Sequence, residues 1–238
     1  MSPHTKTVTA TLRHGSPPLG VLAIVYTVLF NAGLCAVSAF GIPFGVKPPW
    51  YPGPWEPAAV IVNYFQTHPT AVLICMFFQF GALIPLGIYT ASVVSRLRFL
   101  GSSAAGPYIA LFGGLMTVFD SAAAGFILWA MIHPGVAQDP TLLTALYYLS
   151  YAFGGPGFSV PMGLLMAGIS VPAAVLKLLP KWIVVLGLVL ALAGELSWLN
   201  LVFPQVLFLI PLVRFPGFLW LIATGFALPK TSVRGTSS

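Results

Sequence analysis

The chain has 238 residues, of which 58% are apolar and only 6% are charged, and its net charge at pH 7 is +6. Soluble domains carry about 25% charged residues, so this composition excludes a soluble globular protein. The apolar segments are long and unbroken, which predicts membrane-spanning helices and excludes a transmembrane barrel. The basic residues are scattered at the ends of these segments, so the positive charge indicates membrane topology and not a nucleic-acid partner.

Six transmembrane helices are predicted, forming one all-α polytopic bundle in the lipid bilayer. Residues 1–17 are polar and basic and are predicted to form a tail before the membrane domain of residues 18–229. The apolar run that follows is longer than the core of a signal peptide and therefore predicts a retained first span. The predicted spans are residues 18–41, 69–95, 104–132, 141–176, 182–202 and 206–228, and residues 230–238 form a second tail.

Two segments depart from the pattern of plain apolar spans. Residues 42–68 form an outer loop whose prolines exclude a regular helix over most of its length, and its aromatic side chains suit the headgroup layer. A short interfacial helix is predicted over residues 56–66, with Pro57 in its first turn. The fourth span is over-long, and its Gly154-Gly155-Pro156-Gly157 motif predicts a kink or a break.

The distribution of charge predicts that both termini lie in the cytoplasm. With six spans, one side of the membrane receives most of the basic residues, namely Lys6, Arg13, Arg96, Arg98, Lys177, Lys181, Lys230 and Arg234. The acids outside the spans, Glu56 and Asp139, fall on the other side. Because cytoplasmic loops are enriched in lysine and arginine, this asymmetry orients the bundle.

Three charged residues, Asp120, Glu195 and Arg214, are predicted to lie inside spans. At a rise of about 1.5 Å per residue, each lies roughly 21 to 24 Å from the cytoplasmic end of its span, at or just beyond the midplane. A charge at this depth costs about 3 kcal/mol or more, and such residues usually mark functional sites. The alternative is that the acids and the arginine pair with one another and tie the helices together.

Uncharged polar residues share the depth of these charges, whereas the cytoplasmic halves of the spans are more apolar. They are Asn31, Gln79, Tyr147, Tyr148, Tyr151 and Trp198. We therefore predict a polar cavity in the extracytoplasmic half, which binds or transports a small apolar or lipid-like molecule. Asp120, Glu195 and Arg214 would orient the polar end of this ligand.

Two histidines and two cysteines also share a depth. His68 and His133 lie at the ends of neighbouring spans, an arrangement that could hold a haem. Each is followed by proline at a helix boundary, so an interfacial position is the favoured interpretation. For Cys35 and Cys75, a disulfide is the alternative to two buried thiols. The sequence has no metal-ligand spacing, so no metal site is predicted.

Two other functions stay open. An intramembrane enzyme would use Glu195 or Asp120 as a general acid or base on a lipid-like substrate. A cofactor-binding or structural subunit of a larger membrane complex, or a homo-oligomer, would use the same polar residues for assembly. If Glu195 serves a ligand, Glu195→Gln should abolish binding and leave folding intact.

Four motifs are spread over most of the chain: Gln79 to Leu86, Arg96-Leu-Arg-Phe-Leu-Gly101, Gly154-Gly-Pro-Gly157 and Gly194-Glu-Leu-Ser-Trp198. Together they resemble bacterial six-span membrane proteins that form a family of unknown function. The resemblance implies a bacterial cytoplasmic membrane as the location. It implies no activity, cofactor or site residue.

Overall fold

The computed structural model describes residues 9–37 and 51–235 of the chain. The helices are α1 (Leu19–Val37), α2 (Ala58–Thr67), α3 (Pro69–Phe99), α4 (Gly106–Met131), α5 (Pro134–Ala137), α6 (Pro140–Gly154), α7 (Pro156–Val175), α8 (Lys181–Leu196) and α9 (Leu209–Ala227). Two 3-10 helices, Ser197–Leu201 and Pro204–Val206, join α8 to α9. The predicted end of the first span and start of the outer loop, residues 38–50, lie outside the described residues.

The prediction of an all-α bundle with six spans is confirmed. Within the described residues, six helical segments are long and apolar enough to cross a membrane, with α6 and α7 together making the fourth. In the window that defines each span, 67% of the residues of this fourth span are buried in the bundle, against 33% to 44% for the others. The chain is therefore a multi-pass integral membrane protein with α6 and α7 as its most enclosed segment.

The fourth span is broken at Gly155, within the motif that predicted a kink or break. Gly155 has φ −93° and ψ −97°, which is outside the helical region, and Pro156 begins α7 without an amide N–H to continue the ladder. The last carbonyls of a helix have no partner inside that helix. The break therefore leaves backbone acceptors of α6 within the membrane, where another group must satisfy them.

Glycines allow α7 to pack closely between α4 and α8. A methyl group at Gly168 of α7 would lie 2.4 Å from the backbone N of Ala110 in α4. On the other side, a methyl group at Gly194 of α8 would lie 2.9 Å from the Cα of Gly163. Small residues at such contacts bring helix backbones together and maximise van der Waals contact, which is how helices associate in lipid.

An aromatic cluster attaches α2 to α6 at the end of the bundle opposite the termini. The ring of Tyr51 lies 5.4 Å from that of Tyr64 and 6.2 Å from that of Tyr147. The Tyr147 hydroxyl donates a hydrogen bond to the Pro52 carbonyl at 2.6 Å. Burial raises the pKa of the Tyr51 and Tyr64 phenols above their usual range, so both stay neutral at physiological pH.

Replacing Tyr147 by phenylalanine should destabilise this attachment by about 1 to 2 kcal/mol, because the buried Pro52 carbonyl loses its donor. Limited proteolysis between residues 51 and 57, together with an unfolding curve in mixed micelles, measures the change. Tyr148→Phe is the matched control, since Tyr148 is 45% exposed and should tolerate the change. Equal effects of the two variants would contradict a role for the Tyr147 hydrogen bond.

The two ends of the described chain pair as antiparallel strands, β1 (Thr9–Arg13) and β2 (Thr231–Gly235), where the sequence predicted only tails. Thr9 lies opposite Gly235, and Arg13 lies opposite Thr231. The pairing continues where the His14 N–H donates to the Lys230 carbonyl at 2.8 Å. Both ends therefore lie on the same side of the bundle, as an even number of spans requires.

Candidate functional site

A cavity of about 260 Å³ lies in the half of the bundle away from the paired termini. The described residues that line it come from α1, α3, α4, α6, α7, the start of α9 and the segment before α2. Most of the wall is apolar. Its polar side chains are Tyr51, Cys75, Gln79, Ser121, Ser150, Tyr151 and Arg214.

Arg214 is the one charged residue among the described residues of this wall. Its Nη2 donates to the Gly154 carbonyl at 2.6 Å, and this carbonyl belongs to the last residue of α6 before the break. The guanidinium carbon lies 4.5 Å from the ring centre of Phe158 and 5.3 Å from that of Phe30. The broken span and two aromatic faces therefore hold the arginine in place.

Most of the hydrogen-bonding capacity of Arg214 is unused within the described chain. A guanidinium has five N–H donors, and one hydrogen bond is made. Nε is buried without a partner, and no carboxylate of the described residues lies within ion-pair distance. The site therefore contains a positive charge and free donors that the described protein groups do not neutralise.

Gln79 and Tyr151 are the other predicted site residues that line the cavity. Gln79 lies against Gly33 of α1, where a methyl group would be 2.9 Å from the Gln79 Cγ. The Tyr151 hydroxyl donates to Asn200 Oδ1 at 2.6 Å. This bond ties α6 to the 3-10 helix that follows α8. Asn200, a polar residue near the outer end of the fifth span, was not among the predicted site residues.

Glu195 and Asp120 do not line the cavity and do not meet Arg214. Glu195 lies at the contact of α8 with α7, where a methyl group at Gly163 would be 3.2 Å from its Oε1. That Oε1 is buried without a hydrogen-bond partner in the described chain. Asp120 is 8% exposed, and a methyl group at Gly157 of α7 would be 3.4 Å from its Oδ2. The two acids therefore occupy separate helix contacts.

The remaining predicted site residues also lie away from the cavity wall. The Asn31 amide donates to the Thr27 carbonyl of its own helix at 2.8 Å. Tyr147 is bonded to Pro52, as described above, in the aromatic cluster. Tyr148 and Trp198 are 45% and 52% exposed on the outer surface of the bundle.

The two histidines contact carbonyls of the preceding helical turn, and the two cysteines are not bridged. His68 Nδ1 lies 3.2 Å from the Tyr64 carbonyl, and His133 Nδ1 lies 2.9 Å from the Trp129 carbonyl. Neither histidine lines the cavity. In the part of the chain that the structure describes, no group of three or more His, Cys, Asp or Glu residues is placed to hold a metal. Cys35 and Cys75 are free thiols, and Cys75 lines the cavity.

Several wall residues gave no signal in the sequence. Phe30 and Phe158 cover the guanidinium, and Ala124 and Ile210 shape the wall, yet all four resemble the other apolar residues of the spans. One sequence does not distinguish a phenylalanine that faces a cavity from one that faces lipid, because both environments are apolar.

The fold and the cavity define the class of the protein: a six-span integral membrane protein with an arginine in a largely apolar cavity. Comparisons with models of protein families, with curated proteins and with solved structures found no match. The function is therefore inferred from the cavity itself.

Proposed function

We propose that the protein binds a small lipid-like molecule in the cavity beside Arg214, in a bacterial cytoplasmic membrane. The observation that carries the proposal is the guanidinium of Arg214, which makes one hydrogen bond and no ion pair in the described chain, in a largely apolar wall. Ligand pockets typically combine an apolar lining with a few polar groups that fix the orientation of the ligand. This cavity has that composition.

The energetics of Arg214 support a ligand rather than a purely structural role. An arginine near the centre of a membrane costs about 3 kcal/mol or more. Satisfying the Gly154 carbonyl needs a single donor, which a neutral side chain would supply without the charge. Phe158 and Phe30 interact with the charge through their ring faces, and a polar group of a ligand would use the donors that they leave unbonded.

The position of the cavity suits a ligand that enters from lipid. Pro211 of α9 lines the cavity and is also exposed on the outer surface of the bundle. In this proposal, a molecule dissolved in the membrane enters the cavity beside this residue. At about 260 Å³, the cavity is close to the lower end of the usual range for ligand pockets, about 300 to 1,000 Å³.

Binding is favoured over catalysis and over transport by what surrounds the cavity. The two acids that an enzyme would use, Glu195 and Asp120, lie outside its wall. Toward the paired termini, buried side chains of the core such as Leu86, Val93 and Ile169 fill the bundle. The cavity therefore has a closed floor on that side.

Filling the cavity tests the proposal. Ser121→Phe places a ring in the wall from α4, and Leu115→Phe places one on the outer surface of the same helix, where Leu115 is 49% exposed. Native mass spectrometry of gently purified protein should show a small-molecule adduct in the parent and in Leu115→Phe. Ser121→Phe should lack it while keeping its melting temperature.

Accessibility of Cys75 provides an independent measurement. In a Cys35→Ser background Cys75 is the remaining thiol, and it is 4% exposed on the cavity wall. A small apolar maleimide should label it slowly, and removal of the adduct by detergent exchange should accelerate labelling. No adduct in the parent protein, together with labelling that Ser121→Phe leaves unchanged, would refute the proposal.

A further inference from the structure

We infer that the ligand is an amphiphile with an anionic head, a carboxylate or a phosphate, and a single short apolar chain. The inference rests on the proposed function and names the chemical class of its ligand. The head binds at Arg214, and the chain occupies the apolar remainder of the cavity.

The charge of the site favours an anion over a neutral molecule. Among the described wall residues, Arg214 supplies a positive charge and no acid balances it. In a medium of low dielectric constant, an unbalanced charge interacts strongly with an opposite charge at contact distance. A neutral ligand would exclude water from the guanidinium and leave only the ring faces of Phe158 and Phe30 to compensate the charge.

The geometry of the guanidinium favours an oxyanion. Phe158 and Phe30 lie over the guanidinium at 4.5 and 5.3 Å, and Nη2 is bonded to Gly154. The donors of Nη1 and the second N–H of Nη2 make no hydrogen bond in the described chain, whereas Nε is buried. A carboxylate or phosphate accepts two parallel hydrogen bonds in one plane, which matches the planar fork of arginine. Gln79, whose amide has no hydrogen bond in the described chain, adds donors from α3.

The size of the cavity sets the length of the chain. At the packing density of protein interiors, about 0.74, a cavity of about 260 Å³ is filled by roughly 190 Å³ of van der Waals volume. This corresponds to roughly eight to ten carbon atoms with a head group. This space could not enclose a phospholipid with two long chains. A bare inorganic anion would leave most of the apolar wall, including Leu34, Leu128 and Ile210, in contact with a void.

Three probes of equal chain length separate the charge of the head from the apolar chain: decanoate, decyl phosphate and 1-decanol. The full-length protein, in phosphatidylcholine nanodiscs and in the Cys35→Ser background, is titrated with each probe. Binding is followed by protection of Cys75 from the maleimide, and affinities are compared at equal mole fraction in the membrane. We expect the better anionic probe to bind at least tenfold more tightly than decanol, and the ranking of decanoate and decyl phosphate identifies the head.

Variants of Arg214 test whether this residue causes the preference for the anionic probes over decanol. Arg214→Gln should bring the anionic probes to the affinity of decanol, and Arg214→Lys should keep a reduced preference because the charge remains without the planar fork. Glu195→Gln is the control, since Glu195 lies outside the cavity wall, and it should keep the full preference. Binding of decanol to Arg214→Gln shows that the variant is folded with its cavity intact.

The results test separately the anionic single-chain ligand and the proposal that the cavity binds a ligand at all. Equal binding of decanol and both anions, unchanged in Arg214→Gln, would overturn the anionic head and leave a binding cavity for a neutral molecule. Absence of Cys75 protection by all three probes would overturn the single short chain. Native mass spectrometry then decides separately whether the cavity binds any ligand, according to whether Ser121→Phe loses the adduct of the parent protein.

Discussion

Gly168→Ala is expected to destabilise the protein by about 3 kcal/mol or more, although it adds a single methyl group. The new Cβ would lie 2.4 Å from the backbone N of Ala110 and 2.6 Å from the backbone O of Gly106. Neither atom belongs to a side chain that can rotate away. The contact is relieved only if α4 and α7 separate, which loosens the packing of the most enclosed span.

Gly87→Ala is the matched control for this prediction. Gly87 is also inside a membrane-spanning helix, α3, but a methyl group there would meet no atom within 4 Å. In a helix interior, glycine to alanine normally stabilises by up to about 1 kcal/mol. The two substitutions should therefore change the free energy of unfolding in mixed micelles in opposite directions. Equal shifts for both would mean that α4 and α7 do not pack as closely as the structure shows.

The six spans were predictable because hydropathy and length determine which segments can cross a bilayer. The internal structure of the spans was less predictable. The fifth span was predicted over residues 182–202, whereas α8 ends at Leu196 and continues as a 3-10 helix to Leu201. Hydropathy reports the apolar character of a segment and does not distinguish an α-helix from a 3-10 helix.

The pairing of β1 with β2 was not predictable from local patterns. Residues Thr9 to Arg13 contain β-branched side chains that suit a strand, but their partner lies at the opposite end of the chain. A strand at a chain end forms only if a partner reaches it. That partner is placed there by the even number of spans, so the strands depend on the fold rather than on their own sequence.

The sequence predicts how far along its helix each site residue lies, but not how each helix is rotated about its axis. The rise per residue places Glu195, Asp120 and Arg214 at a similar depth. Their directions depend on how each helix rotates about its axis. In a soluble protein an apolar stripe marks the buried face, but in lipid the outer face is apolar too: Phe77 and Phe126 are 68% and 58% exposed.

This difference changes which charge we propose as the centre of the site. The sequence singled out Glu195, which lies in a helix contact beside Gly163. The structure instead places Arg214 at the cavity, next to the Gly154 carbonyl that the broken span leaves free. The glycine and proline motif and the arginine thus form one feature, in which a break in the backbone positions the charge.

Arg96→Ala is expected to destabilise the protein by about 2 to 5 kcal/mol, because this fully buried side chain fills space and holds the N-terminal segment against α3 by hydrogen bonds. Arg96 Nη2 donates to Ser16 Oγ at 2.6 Å and to the Pro17 carbonyl at 3.2 Å, and Nε donates to Ser16 Oγ at 3.2 Å. Truncation removes these bonds and leaves a void the size of the side chain at the start of α1.

Arg98→Ala separates this packing effect from the effect of charge on topology. Arg98 is exposed two residues further along α3, donates to the Tyr108 hydroxyl and lies 5.1 Å from the Tyr108 ring centre. Each variant removes one positive charge from the same end of the bundle, so any change in membrane orientation affects both alike. Because exposed contacts contribute about 1 kcal/mol or less, Arg98→Ala should keep nearly the full unfolding free energy. A loss as large as that of Arg96→Ala would show that the positive charge at this end, rather than the anchoring of Ser16 and Pro17, stabilises the fold.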